Sequence, residues 1–440
     1  MPFYYGHRAT AAAVLTAVLA LEAPNTSSAA LVSFFGQPHP RSSFITKSLS
    51  TVVGSIIQPA SVAAFVSDTN SGTNTYSLSS SSASMSDDSS NVEKRTVVYQ
   101  PLSVAVSGVK VPVAAWHPPI KDSITTTTTT TTTMKPLDSY QHRISVQKIG
   151  KKLAGWNFIP SFANRNFALR PSAQNSNLSI VTTTQQEQQQ LPSSTPVVIL
   201  AHGYLGSRFD LYHLAEQLAS EGFLVLSPEY PESLADSFDS TIVDTNSGEI
   251  QYIIDRDMIT NQLLLTLQQI WKVTPTSFGI VGHSLGCGTA ERSGDDSWSR
   301  ICLAGFPSSR GSKCLFIGST NDGTVSVNRK LSVLRDNNYV NLDENRIRSI
   351  ITEKEVQLPT IPSKASLIFS GVDAPNHISF LSEETNNAMV DFLSPLLPVA
   401  RALRIPVLDF DKYQLSRDSR VCGDVVVPLV VGYLKQTMKV

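Results

Sequence analysis

From Pro196 onward, short apolar runs alternate with stretches whose apolar residues recur at three- and four-residue spacing. "PVVIL" is a continuous apolar strand, "RFDLYHLAEQLASEG" carries helical spacing and stops at Gly222, and "FLVLSP" is the next strand. "RDMITNQLLLTLQQIWKV" reads as a second helix, followed by strands in "SFGIVG", "RICLAGFP", "KCLFIG" and "ASLIFSG". Runs with no polar alternate are strands buried on both faces, and the helices between them supply the crossovers. The pattern predicts an α/β fold, a doubly wound, mostly parallel sheet with helices on both faces. Upstream, "VYQPLSVAVSGVKVPVAAWHPP" alternates apolar and polar positions on either side of Gly108 and predicts a hairpin, and "RISV" is a further strand-like piece. No apolar run in this part of the chain reads as long enough to span a bilayer.

The N-terminal part is different. Arg8 precedes the apolar run "ATAAAVLTAVLAL", which ends at Glu22, Pro24 and "NTSSAA", the layout of a signal peptide. From Ala23 to Ser67 there is no Asp or Glu while Ser and Thr are frequent, a composition like that of a transit peptide. Residues 1–66 are therefore expected to be a targeting presequence that enters the secretory pathway. Its two parts resemble the presequences of algae with complex plastids, with "SVAAFVS" loosely resembling their cleavage motif; a secreted or lumenal protein with a pro-region is the alternative. Residues 67–93 are Ser-rich and too poor in apolar residues to fold, which predicts a disordered linker. A single domain is expected over 94–440, with low-complexity insertions near 121–135 and 182–195, where a nine-threonine run and a glutamine-rich stretch stand.

Net charge is −1 with no basic block, so no nucleic-acid partner is expected. The four cysteines show no C-x-x-C and no His/Cys pair at metal-ligand spacing, so neither a metal nor another cofactor is expected. Cys302 and Cys314 fall in strand-like runs and read as buried small apolar residues, not as disulfide partners. The apolar stretch "FLSPLLPVARALRIPVLDF" reads as core packing, with peripheral contact to a lipid surface as its alternative.

Chemistry concentrates at the ends of the predicted strands. In "FGIVGHSLGCG", Ser284 stands between Gly282 and Gly286 directly after a strand, as in a nucleophile elbow, where a sharp turn strains the serine and leaves no room for neighbouring side chains. A serine hydroxyl needs a base to act at neutral pH. Of eight histidines, His7 and His39 lie in the presequence, His117 and His142 precede the sheet, His213 is mid-helix, and His202 and His283 sit inside glycine motifs. His377, in the loop "VDAPNHISF" after the last strand, remains. Asp322 in "FIGSTNDGTVS" is the preferred carboxylate to orient it, with Asp373 as rival because it also follows a strand. The chain order Ser, Asp, His is that of the α/β-hydrolases. An oxyanion hole is expected from the amides of Leu285, after the nucleophile, and Tyr204 in "AHGYLG".

The stretches "VVILAHGYLGSRFDLYHLAEQLASEGFLVLSPEY", "GIVGHSLGCGTA", "FIGSTNDGTVS" and "NHISF" resemble the α/β-hydrolase superfamily, and within it the platelet-activating-factor acetylhydrolase group of lipid esterases. "SPEYPES" stands where that group has a histidine-containing turn, and Leu285-Gly286-Cys287 where it has an aromatic residue and two glycines. The resemblance implies an α/β-hydrolase fold and a carboxylic-ester hydrolase acting through an acyl-enzyme on a lipid or phospholipid ester. It places the nucleophile, acid and base at Ser284, Asp322 and His377 and the oxyanion donors at Tyr204 and Leu285. A chlorophyllase-like or dienelactone-hydrolase-like esterase uses the same residues, an acyltransferase the same intermediate, and a ligand-binding homologue the same fold. The short segment after Phe306 predicts no large lid.

Overall fold

The structure, a computed structural model, describes residues 95–119, 135–154, 159–172, 178–182, 191–243, 250–325, 327–352, 360–402 and 409–440. The expected presequence (1–66), the linker (67–93) and most of both insertions lie outside the described residues.

The described part opens with a hairpin of β1 (Arg95–Val106) and β2 (Val109–His117). Ser107 and Gly108 turn it, at φ 47° and 81°. Two left-handed residues in a two-residue loop match the twist of the flanking strands, and Gly108 takes its positive φ with no Cβ to oppose it. β3 (Lys135–Pro136), β4 (Tyr140–Ile144), α1 (Val146–Ala154), β5 (Arg165–Leu169) and β6 (Leu178–Thr182) follow. The alternating part then supplies β7 (Val197–Ala201), α2 (Tyr212–Ser220), β8 (Leu224–Pro228), a small hairpin of β9 (Thr241–Val243) and β10 (Ile250–Tyr252), α3 (Arg256–Trp271) and β11 (Phe278–His283). After these come α4 (Gly286–Arg292), β12 (Ser299–Leu303), β13 (Cys314–Ser319), α5 (Val327–Asp336), β14 (Val340–Leu342), α6 (Glu344–Thr352) and β15 (Lys364–Phe369). The chain closes with α7 (Glu383–Leu393), α8 (Leu397–Ala402) and α9 (Ser419–Met438).

The main sheet runs β14-β15-β13-β12-β11-β7-β8-β2-β1-β6-β3. From β8 to β14 every neighbour pairs in parallel, and β2 is antiparallel to both β8 and β1. Burial shows why these strands lack polar alternates. On β7, Val198 and Leu200 join the core that contains α2 and α9, while Val197 and Ala201 join the core built with α3. Chain order diverges at β7, with β8 added on one side and β11 on the other, so a topological switch point lies between β7 and β11. In a wound sheet the loops part there and leave a crevice at the carboxyl ends of the strands.

Several expectations change in the structure. Cys287 and Cys302 form a disulfide, with Cα atoms 5.0 Å apart, whereas the strand-like run around Cys302 predicts an unpaired core residue. The pairing follows from sheet register: Cys302 on β12 lies opposite Gly282 on β11, and the chain turns back after Ser284 to bring Cys287 over it. Closing this loop is expected to contribute about 3 kcal/mol. Alkylation of denatured protein purified without reductant should label only Cys314 and Cys422, and all four cysteines after reduction. Labelling of four thiols without reductant refutes the bridge.

The helix expected from Arg208 starts at Tyr212, because Asp210 turns its carboxylate onto the Ser207 amide and hydroxyl and holds the segment in turns. At the C-terminus, α9 is 20 residues long and apolar enough by length and composition to cross a membrane, contrary to the expectation from sequence. Two-thirds of its most apolar window is buried, packed on α2, α6 and strands β11, β12 and β13. Of the stretch expected to be core packing, residues 392–395, 397, 398 and 400–402 are half-buried to exposed, while Asp409 is buried and Phe410 packs on a small cluster of Ile378, Val390 and Tyr413.

Candidate active site

Ser284 has φ 54°, the left-handed region that a residue with a side chain enters only under constraint. The constraint is visible in its neighbours. A Cβ on Gly286 would lie 1.9 Å from the Ala201 carbonyl oxygen, and one on Gly282 would lie 2.3 Å from the Gly286 backbone. Both contacts are with backbone and leave nothing to yield, so the elbow requires glycine two residues before and two after the serine. Ser284 N–H donates to the Leu303 carbonyl at 2.9 Å, which ties the strained residue to β12.

The strain lifts the hydroxyl onto His377. Ser284 Oγ lies 2.8 Å from Nε2, and Nδ1 of the same ring lies 3.0 Å from Oδ1 of Asp322. Burial would raise the Asp322 carboxyl. The hydrogen bond and charge of His377, with those of Lys330, override it and hold the carboxyl down at about 2. An ionised Asp322 only accepts, so Nδ1 carries the proton and Nε2 is left to accept from the serine hydroxyl. The arrangement can therefore accept a proton from Ser284 in one step without rearranging.

Each partner is placed by its loop. Asp322 Oδ1 also accepts the Thr324 and Val325 amides at 3.0 Å, closing the turn after β13. Asn321 donates to the carbonyls of Val372 and Ala374 and so joins this turn to the loop of His377. Asn376 accepts the amides of Ile378 and Ser379, and donates to the Asp409 carbonyl. His283 Nε2 lies 2.9 Å from the His377 carbonyl oxygen; burial first, then the charge of His377, push its imidazole down to about 3, and the neutral ring donates. Asp373 is not brought in, since its exposed carboxylate faces Arg417 at 3.5 Å. His117, His142 and His213 are buried elsewhere in the structure.

Across the crevice, Gly203 packs on the elbow: a Cβ there would lie 3.1 Å from Ser284 Cβ. The amides of Tyr204 and Leu285 have no protein acceptor among the described residues. The loop carrying Tyr204 is fixed from behind. Tyr230 N–H donates to Nε2 of His202 at 2.9 Å, so the proton of this neutral ring sits on Nδ1, 2.8 Å from the Gly203 carbonyl. Arg256, at the start of α3, donates to the His202 carbonyl at 2.9 Å, to the Gly203 carbonyl at 3.4 Å and to Thr289 on α4 at 3.2 Å. Glu232 pairs with its guanidinium at 3.0 Å, and Tyr230 stacks under it at 4.5 Å. In a trans peptide C=O and N–H point oppositely, so holding the Gly203 oxygen inward turns the Tyr204 N–H outward. "SPEYPES" therefore supplies the braces of this loop, Tyr230 and Glu232, a role that no local pattern announced.

A strained serine after the switch-point strand, a histidine after the last strand and an aspartate between them stand on an eight-strand core ordered β1-β2-β8-β7-β11-β12-β13-β15, with β2 alone antiparallel. The fold is the α/β-hydrolase fold. No helix or strand is inserted between β12 and β13, so no large lid stands there. No family model and no curated protein matches the sequence. Among solved structures the chain is similar to a ferulic acid esterase from Streptomyces cinnamoneus, at 15% identity and a TM-score of 0.39, over 78% of this chain and 90% of that one. It is also similar to an esterase from Pyrococcus furiosus (11% identity, TM-score 0.31, 69% and 92% of the two chains). A third is a dienelactone hydrolase from Anabaena variabilis (13% identity, TM-score 0.29, 67% and 94%).

Proposed function

We propose that this α/β-hydrolase-fold chain is a serine carboxylic-ester hydrolase working through an acyl-enzyme. The observation that carries the reading is the continuous hydrogen-bonded chain from Ser284 through His377 to Asp322, with the serine held at φ 54°. Ser284 Oγ attacks the ester carbonyl as its proton passes to Nε2 of His377. The Tyr204 and Leu285 amides receive the carbonyl oxygen as it gains charge. When the tetrahedral adduct collapses, the C–O bond to the alcohol breaks and the alcohol leaves with the proton from Nε2. Water then gives a proton to Nε2 as its oxygen attacks the acyl carbonyl, and when this second adduct collapses the C–Oγ bond breaks, Oγ takes the Nε2 proton back and the acid is released.

The finer reading is an ester with an apolar portion, a lipid or phospholipid ester with a short acyl group, as the resemblance to the platelet-activating-factor acetylhydrolase group implies. What supports it is the rim: Tyr204, Leu285 and Phe306 are each 40% or more exposed, on the loops that follow β7, β11 and β12. Residues left apolar at the mouth of a crevice favour an apolar ligand over a charged one. The Cys287–Cys302 bridge supports passage through an oxidising compartment, in keeping with a signal peptide. A fluorophosphonate probe should label the wild-type protein at Ser284, and an ester panel should favour short-chain p-nitrophenyl or sn-2 acetyl phospholipid substrates over charged ones. Absence of labelling rejects the hydrolase, preference for lactones favours the dienelactone-like alternative, and products carried onto an added alcohol favour an acyltransferase.

A further inference from the structure

Lys330 on α5 is fully buried, its side chain 1% exposed, and its ammonium donates to Oδ2 of Asp322 at 2.6 Å. A lysine leaves water only with a close counter-charge, because its ammonium forfeits hydration that nothing else offsets. Here the counter-charge is the carboxylate whose other oxygen faces His377 at 3.0 Å. An orienting carboxylate ordinarily presents its whole charge to the imidazole and so stabilises the imidazolium. We propose that Lys330 is a positioning residue for proton transfer at His377: it pins Oδ2 of Asp322, leaves Oδ1 to the imidazole, and makes the imidazolium form beside a neutral ion pair. Lys330 keeps its own proton throughout; the proton that moves is the one from Ser284 Oγ to Nε2.

The surroundings leave Lys330 as the cation closest to Asp322. From the elbow, His377 meets Ser284 and the uncharged His283, whose ring centroid is 5.1 Å away. Behind Asp322, Gly323 N–H donates to Asp409, itself paired with Lys412. Flanking the His377 loop, Arg417 is taken up by Glu344 and Asp373. None of these cations contacts Asp322, whereas Lys330 does.

Removing the lysine charge should leave an unbalanced carboxylate facing the imidazole and make proton uptake easier. The acid limb of kcat/KM for a neutral p-nitrophenyl ester is expected to move up by about 1 pH unit in Lys330→Met and in Lys330→Gln, the glutamine retaining a donor without charge. Lys330→Arg keeps the charge and should keep the wild-type limb. A residue that served packing alone would lower kcat without moving the limb. If Lys330→Met does not fold, Lys330→Gln decides. The kinetics rest on the ester-hydrolase reading, so the His377 imidazole signal is also followed by NMR against pH in the wild type and the glutamine variant. An upward displacement of that titration supports the proposal whether or not the protein hydrolyses esters. An unmoved or lowered titration in a folded variant overturns it, while inactivity of the wild type counts against the hydrolase reading alone.

Discussion

Ser284→Ala is expected to lower kcat on the order of a million-fold, the loss seen when a serine hydrolase forfeits its nucleophile. The substitution removes one oxygen, and with it the atom that forms the covalent bond. His377 loses its 2.8 Å partner but stays fixed by Asp322 through Nδ1. Alanine keeps the elbow backbone and its φ of 54°, so the melting temperature should change little. Burst kinetics and probe labelling check the claim together: the variant should show neither an acyl-enzyme burst nor a labelled peptide spanning residue 284. Near-normal turnover in the variant would remove Ser284 from the chemistry.

Most of this constellation was legible in the sequence because its demands are local. The elbow writes itself as Gly282-x-Ser284-x-Gly286, since each glycine is excluded from bearing a side chain by backbone within a few residues or on the neighbouring strand β7. The strands are legible because burial on both faces erases polar alternation, and His377 and Asp322 because each follows such a strand. The residues that escaped notice act through distant partners. Lys330 is one of four charged residues on α5, and only the fold shows that it points inward to Asp322. Arg256 reads as the polar first residue of a helix, yet its guanidinium reaches carbonyls 53 and 54 residues earlier in the chain. The Cys287–Cys302 bridge depends on the register of β11 against β12, which hydrophobic pattern does not record. The C-terminal helix escaped because Asp424, Pro428 and Lys435 interrupt its apolar residues, although neighbouring elements cover most of it.

Asp322→Asn should cost about 10⁴ in kcat, while Asp373→Asn should stay within a few-fold of wild type. Asp322 lies in the turn after β13 and Asp373 in the loop after β15, so each follows a strand, and sequence position prefers Asp322 without settling the role. Geometry does: Asp322 reaches Nδ1 of His377 at 3.0 Å with no solvent exposure, and Asp373 is 74% exposed beside Arg417. An asparagine at 322 can offer its amide N–H₂ to Nδ1 and so favour the tautomer whose proton sits on Nε2, the wrong atom to accept from the serine. The same change leaves Lys330 buried without a counter-charge, a state that costs about 3–5 kcal/mol. Asp322→Asn should therefore also melt lower, whereas Asp373→Asn should not. Acid dependence gives a further check with a fixed sign. A carboxyl held at about 2 contributes stability that is present above the ordinary carboxylate range and is lost as pH falls from about 4 toward 2. Wild type should lose stability across that window more steeply than Asp322→Asn, which has no such carboxyl to protonate. If Asp373→Asn instead abolishes turnover and Asp322→Asn does not, the carboxylate that serves His377 in solution is the exposed one, and the buried Asp322–Lys330 pair is scaffold.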